Sequence, residues 1–277
     1  MNSFLSLMYH NIVSPGQRFM RLSPSVTSYF VDQPAFARHL DCVAEQGRCL
    51  RMKDVRRMMC EPPRGEVPQS LPGVQVTFDD GWKGSIELGG PLLESHGFEG
   101  LLFVTTGLIG KQDFVTRHDL QTLSSNVFQV GSHAHTHQLL NRLTNVEVRE
   151  ELTSSKLILE DLLGTEIDSL SLPGGAGNSR VLQIAREAGY RLIFTSEVHL
   201  NSRQTSPSHI GRVPIKQTTT VAEVRKFATH RLGSMRLRRG CLQVAKQILG
   251  SQRYERLRCR FLGADGDQRD MVELCTN

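Results

Sequence analysis

The sequence predicts a parallel β/α domain, either an open sheet or a barrel, and three observations carry that prediction. Short apolar, β-branched runs alternate with helical patterns along most of the chain. The connections between them are short, as a parallel sheet built through helical crossovers requires. Residues with acid–base or metal chemistry directly follow several predicted strands, which is where sites form in such folds. With 277 residues and 39% hydrophobic content, the chain can bury a substantial core as one large domain or two small ones.

The elements follow in order. Leu5-Ser-Leu-Met-Tyr9 is an apolar run before His10-Asn11 and a Pro/Gly turn, and predicts a first strand. Phe36, Leu40 and Val43 share one helical face, which Gly47 ends. Residues 61–73 read as a loop by composition. Val74–Phe78 alternates and is β-branched, so it predicts a strand; 85–96 predicts a helix, with Pro91 a break or a second start. Gly100–Thr105 and Val127–Val130 are further strands. Thr144 and Glu147 form a capping box for a helix with Val148, Leu152, Leu159 and Leu162 on one side, ending near Gly164. Ser169–Leu172 is a strand running into the loop Pro173–Asn178. Asn178 or Ser179 then caps a helix through Ala188, with Gly189 beyond its end, and Arg191–Thr195 is the next strand.

Composition excludes several classes. There is no repeat, no transmembrane run and no disulfide scaffold; the six cysteines include no CxxC pair. Phe4–Met8 lacks the flanks of a signal peptide, so a cytoplasmic protein with reduced thiols is expected. The net charge of +5 is unevenly placed: from Arg225 to Leu262 there are eleven Lys/Arg against Glu255 alone, a net of +10, which leaves −5 elsewhere. The high pI therefore describes a tail.

Two stretches carry the chemistry. Thr77-Phe-Asp-Asp-Gly81 closes a strand with adjacent carboxylates, and Gly131-Ser-His-Ala-His-Thr-His137 follows a second strand. Asp80, His133 and His137 make a two-nitrogen, one-oxygen ligand set for one divalent ion. Zn²⁺ is the first expectation, and Co²⁺, Mn²⁺, Fe²⁺ or Ni²⁺ also suit it. Histidines at i and i+4 face the same side of a helical turn, so both can reach one ion. His135 in place of His133 is the alternative pairing. Asp79 is the spare carboxylate, placed to take a proton from water as general base.

These stretches, with Leu140, Leu143-Thr144, Glu147 and Glu151-Leu152, resemble the polysaccharide deacetylase, or NodB-homology, family of carbohydrate esterases. Leu7-Met-Tyr-His10 and His209-Ile-Gly-Arg-Val-Pro-Ile215 resemble a subgroup of it, and the likeness spans roughly residues 4–230. It implies a deformed (β/α) barrel of the polysaccharide deacetylase type, here with a C-terminal basic helical extension over 231–277. It also implies hydrolysis of acetyl groups from N-acetylated sugars, with Asp79 as base and Asp80, His133 and His137 on the metal. Metal-activated water would attack the acetyl carbonyl, and the metal and a backbone amide near Gly174-Gly175 would hold the oxyanion.

This chain departs from the family in two places. The third motif reads Ser171-Leu-Pro-Gly-Gly-Ala-Gly-Asn178, keeping Pro173, Gly175 and Asn178 but placing Ser171 where the family has Arg and Gly174 where it has an aromatic. Arg212 is the candidate for the missing charge. The late His motif that supplies the general acid is not recognisable; His209 is the first candidate, ahead of His199 and His10. The missing aromatic at Gly174 predicts a wider cleft and a substrate unlike long chitin, such as an exopolysaccharide intermediate or a lipid-linked sugar. An O-acetyl esterase at the same site, or a metal-retaining glycan-binding protein without activity, are the alternatives.

In the tail, Leu237, Cys241, Val244 and Ile248 predict an amphipathic helix within 236–249, and Tyr254, Leu257 and Phe261 a second one. Its basic face suits solvent, or peripheral contact with anionic membrane or glycan. Nothing in it points to nucleic acid. The expected partner is an acetylated carbohydrate; the oligomeric state is left open.

Overall fold

A computed structural model describes residues 3–62, 71–175, 177–233 and 271–276. The expected tail helices, within 236–249 and through Tyr254–Phe261, lie outside the described residues, as does most of the expected loop at 61–73. The strands are β1 (Ser3–Tyr9), β2 (Ile12–Val13), β3 (Val31–Asp32), β4 (Arg48–Cys49), β5 (Gly73–Phe78), β6 (Gly100–Val104), β7 (Phe128–Ser132), β8 (Ser169–Ser171), β9 (Leu192–Phe194), β10 (Asn201–Ser202) and β11 (Arg212–Pro214). The helices are α1 (Pro24–Thr27), α2 (Gln33–Gln46), α3 (Met52–Cys60), α4 (Lys83–Glu87), α5 (Gly89–Ser95), α6 (Arg117–Gln121), α7 (Asn145–Leu163), α8 (Ser179–Glu187), α9 (Val221–Ala228) and α10 (Met271–Thr276).

One sheet dominates, in the order β10-β1-β5-β6-β7-β8-β9, with β11 on β1 and β4 on β5. All its pairings are parallel except β1 with β10. The sheet curls until its ends approach: Phe194 of β9 forms a parallel bridge with Ile210, and two residues later β11 lies along β1. This is the deformed (β/α) barrel expected from the sequence. Its strands are buried on both faces, as β1 and β5 show by their near-continuous burial; in β5 this includes Gln75 and Thr77, the polar positions of its alternating sequence.

The helices sit where their punctuation placed them. Thr144 caps α7: its hydroxyl accepts from Glu147 N, while the Glu147 carboxylate accepts from Thr144 N at 2.7 Å. Val148, Leu152, Leu159 and Leu162 are the buried face of α7, and left-handed Gly164 ends it. Asn178 caps α8 through Val181 N at 3.0 Å. The predicted helix at 85–96 is two helices parted at Leu88; Pro91 falls in the first turn of the second, where a missing N–H costs nothing. Among the described residues no helix is long and apolar enough to cross a membrane.

This topology sets the site. Because β1, β5, β7, β8 and β11 run parallel, their C-terminal ends share one rim. His10, Asp79-Asp80, His133 and the 173–175 turn therefore meet there from distant parts of the sequence.

Candidate metal centre

Asp80 leaves β5 in a left-handed conformation with φ 73°, and Ala134 and His137 after β7 have φ 60°. Such conformations cost non-glycine residues about 1–3 kcal/mol each and cluster at functional sites. They correct the expected helical turn: residues 133–137 form no helix, and the left-handed residues bend the chain so that both imidazoles converge. Among the described residues, Asp80, His133 and His137 form a group whose ligand atoms all lie within 4.8 Å of one another. Asp80 Oδ1 stands 3.3 Å from His133 Nε2 and 3.3 Å from His137 Nε2.

Three observations show that this set fits a metal ion. Asp80 Oδ1 is buried and accepts no hydrogen bond. Its other oxygen accepts from Trp82 Nε1 at 2.9 Å, which fixes the carboxylate's orientation. Two donors bound tetrahedrally at about 2.0–2.1 Å would stand about 3.3 Å apart, as these do. His133 Nδ1 lies 2.8 Å from the Ser171 carbonyl; donating there leaves Nε2 as a lone-pair donor toward Asp80. His135 is turned away, with Nδ1 2.9 Å from Thr106 Oγ1, so the geometry favours His133 over the alternative pairing.

The loop that carries the histidines has a support to which the sequence reading gave no role. Glu151, on α7, accepts from the backbone N–H of His135 at 2.9 Å and of Thr136 at 2.8 Å, and from the Thr136 hydroxyl. Its carboxylate ties down the segment between the two histidines. The sequence signal was its place two turns into a helix that begins just after them.

Without a metal, protons take its place. Burial pulls the His133 imidazole down, but Asp79 and Asp80 outweigh it and leave the pKa above the ordinary 6.5. Metal binding must displace that proton. Metal affinity should therefore begin to fall already above pH 6.5 and drop about tenfold per unit on further acidification. Competition with a chromophoric chelator between about pH 5 and 8 would show it, and a flat affinity would contradict this ligand assignment.

Asp79 is buried beside this set and bound by Arg212. Arg212 is fully buried and donates to Asp79 Oδ1 at 2.6 Å and Oδ2 at 2.8 Å. It also donates to Ser171 Oγ at 2.7 Å and to the Thr195 carbonyl at 3.1 Å, and its guanidinium lies over the rings of Phe103 and Phe194. Ser171 Oγ in turn donates to Asp79 Oδ2 at 3.2 Å. At the position where an Arg was expected this chain has Ser171, and a guanidinium from β11 pairs with the same carboxylate. Burial pushes Asp79 up, but Arg212 and His133 outweigh it and hold the carboxyl below its ordinary range.

These groups open into a cleft of about 620 Å³, lined by His10, Tyr29, Asp79, Asp80, His133, His137, Leu139, Leu143, Gly174, Gly175, Met271 and Val272, among others. His10 is in it; its Nδ1 is buried without a hydrogen-bond partner, and its ring lies 4.4 Å from that of Tyr29. Burial lowers its pKa, although Asp80 and Asp79 act in the opposite sense. His209 is not among the cleft residues: its Nε2 lies 2.9 Å from Glu197 and its ring stacks on His199 at 6.0 Å. Pro173 is buried at the start of the turn whose glycines line the cleft. The wider cleft expected at Gly174 is not simply open, because a Cβ there would meet Leu139 Cδ2 at 2.5 Å. Leu139 takes the place of the absent side chain.

Comparison with known proteins agrees with this geometry. The polysaccharide deacetylase family profile matches residues 67–193. YxkH of Bacillus subtilis (strain 168), provisionally named a polysaccharide deacetylase, is 25% identical over 210 residues, covering 76% of this chain and 70% of that protein. The fold is shared with the Streptococcus pyogenes deacetylase PplD, at TM-score 0.69 and 21% identity, covering 82% of this chain and 98% of that one. It is also shared with IcaB from Ammonifex degensii, at TM-score 0.70 and 21% identity, covering 83% and 98%. The profile match spans Asp79, Asp80, His133, His137 and the 173–175 turn, so the segment that carries the candidate site is similar to the polysaccharide deacetylase family.

Proposed function

We propose that the protein hydrolyses acetyl groups from N-acetylated sugars of a polysaccharide or glycan intermediate, with Asp79 as general base beside a divalent ion held by Asp80, His133 and His137. The observation that carries this reading is the buried Asp79, gripped at both oxygens by Arg212 and adjacent in sequence to the candidate ligand Asp80. When bound, the ion polarises the acetyl carbonyl and lowers the pKa of water. Zn²⁺ is the first expectation from the donor set.

The chain's own groups divide the remaining work. Asp79 takes the proton from the attacking water at a carboxylate oxygen, and Arg212 keeps it ionised and aimed. The Gly175 N–H is engaged with the Leu172 carbonyl at 2.7 Å, so we assign the oxyanion donor to the Gly174 amide in the cleft. His10 gives a proton to the departing amine nitrogen. Its lowered pKa makes the imidazolium a strong donor, and its free Nδ1 supports an available contact.

The rival readings lose their motives. A non-catalytic binding protein, or an esterase with an easy leaving group, was suggested by a missing Arg and an unlocated acid. The pairing of Arg212 with Asp79 and the presence of His10 in the cleft favour the hydrolase reading over both. Acetate release from a panel of acetylated glycans, with and without chelator, tests the proposal. Release abolished by chelation and restored by metal is expected, whereas chelator-insensitive release would end it.

A further inference from the structure

We propose that α10 is a wall of the catalytic cleft, and that Met271 and Val272 are specificity-determining positions packing against the apolar face of the pyranose that carries or flanks the acetyl group. The substrate part of this inference rests on the deacetylase reading; the placement of the helix does not.

Met271 and Val272 line the same cleft as Asp79, Asp80, His133 and His137. The helix is anchored rather than loosely apposed. Met271 is 6% exposed and belongs to an apolar cluster with Phe30, Trp82, Leu108 and Phe114, against which Leu274 and Cys275 also pack. At its C-terminal end, the Lys111 ammonium donates to the carbonyls of Leu274 at 2.7 Å and Cys275 at 2.9 Å. That satisfies carbonyls the helix cannot, and sets a cation at the negative end of its dipole.

The anchor leads directly to the metal set. Trp82 stacks on Phe114 at 4.1 Å and donates its indole N–H to Asp80. The helix thus covers the aromatic residue that orients Asp80, and presents Val272 to the same cleft. Leu139, Leu143 and Val26 add further apolar lining. A sugar offers two surfaces, a rim of hydroxyls and an apolar C–H face. Apolar walls next to a metal floor suit the second, and a methylene-scale change in such a pocket shifts specificity by about 10–200-fold.

Trp82 is the sole tryptophan and is 1% exposed, so its emission reports the helix without turnover. The test compares the full chain with a chain stopped after residue 270, with Met271→Lys and with Val272→Phe. It reads tryptophan emission, metal affinity and, by calorimetry, the Kd for the acetylated oligosaccharide that the full chain binds best in the panel above. Truncation and Met271→Lys should red-shift the emission and weaken both metal and oligosaccharide binding. Val272→Phe should weaken oligosaccharide binding about tenfold or more, with emission and metal affinity held. Unshifted emission on truncation would overturn the placement of the helix. Shifted emission with an unchanged Kd in all three variants would overturn its part in specificity. Failure of acetate release by the full chain would instead count against the deacetylase reading, since emission and Kd are read without catalysis.

Discussion

Asp79→Asn should leave the metal bound and cut acetate release by about 10²–10⁴-fold, the usual worth of a positioned general base. Arg212→Met should remove activity on a comparable scale but with a heavy loss of stability. The contrast follows from burial. Asn keeps the shape of Asp79 but only one acceptor oxygen and no charge for Arg212, which retains Ser171 Oγ and the Thr195 carbonyl, so the substitution removes the proton acceptor at some, smaller, cost in stability. Arg212→Met removes the guanidinium that holds both oxygens of buried Asp79 and strips a donor from Ser171 and from the Thr195 carbonyl. Breaking a buried pair on one side costs about 3–5 kcal/mol. Arg212→Lys should recover little, since a single ammonium cannot span both oxygens.

The pH dependence separates the two variants further. In the native protein the folded pKa of Asp79 lies below its unfolded value of about 3.9. Its contribution is therefore full above that value and is lost as pH falls through the folded pKa. In metal-free Arg212→Met the counterion is gone and burial dominates, so the folded pKa rises above the unfolded one. The deficit should then grow as pH rises through the carboxylate range, making the variant relatively best in acid. Urea unfolding of chelated protein across that range would show opposite slopes, and equal pH dependence would mean that Arg212 does not govern Asp79.

What could be read in the sequence depended on how local each feature is. Asp79-Asp80 and the 133–137 histidines were legible because each cluster is contiguous and follows a strand, so parallel topology alone brings them to one rim. The capping boxes and helix stops were legible for the same reason. The Asp79–Arg212 pair was much less so. It joins positions 133 residues apart across the closure of the barrel, through a strand of three residues with no periodic signature. Only the missing Arg at Ser171 hinted that a cation must arrive from elsewhere. Nothing local distinguishes His10 from His209 as candidate acids: one lies at the end of β1 in the cleft, the other pairs with Glu197. The convergence of His133 and His137 is legible in the sequence but its means is not, since the left-handed residues that replace the expected helical turn, such as Ala134, leave no mark in residue type. Leu139 filling the space beside Gly174 is a tertiary contact of the same kind.

His10→Gln should divide substrates by their leaving groups. An amide nitrogen cannot depart without a proton, so on N-acetylated sugars the loss of the general acid should cost about 10²–10⁴-fold in kcat/KM. An activated acetyl ester with an acidic phenol as leaving group needs no such proton, so its hydrolysis by the same variant should fall far less. Gln retains polarity and much of the volume against Tyr29, so metal affinity should change little. His209→Gln serves as the control: its imidazole faces Glu197 and His199 outside the cleft, and both substrates should be hydrolysed near the native rate. The pH profile gives an independent check. An acid must be protonated, so rates on the amide should decline as pH rises through the imidazole's pKa. Burial has moved that pKa below the ordinary value, so the decline should begin at lower pH than for an exposed histidine and vanish in His10→Gln. Equal losses on amide and ester would make His10 a structural residue and return the proton donor to the metal side of the cleft.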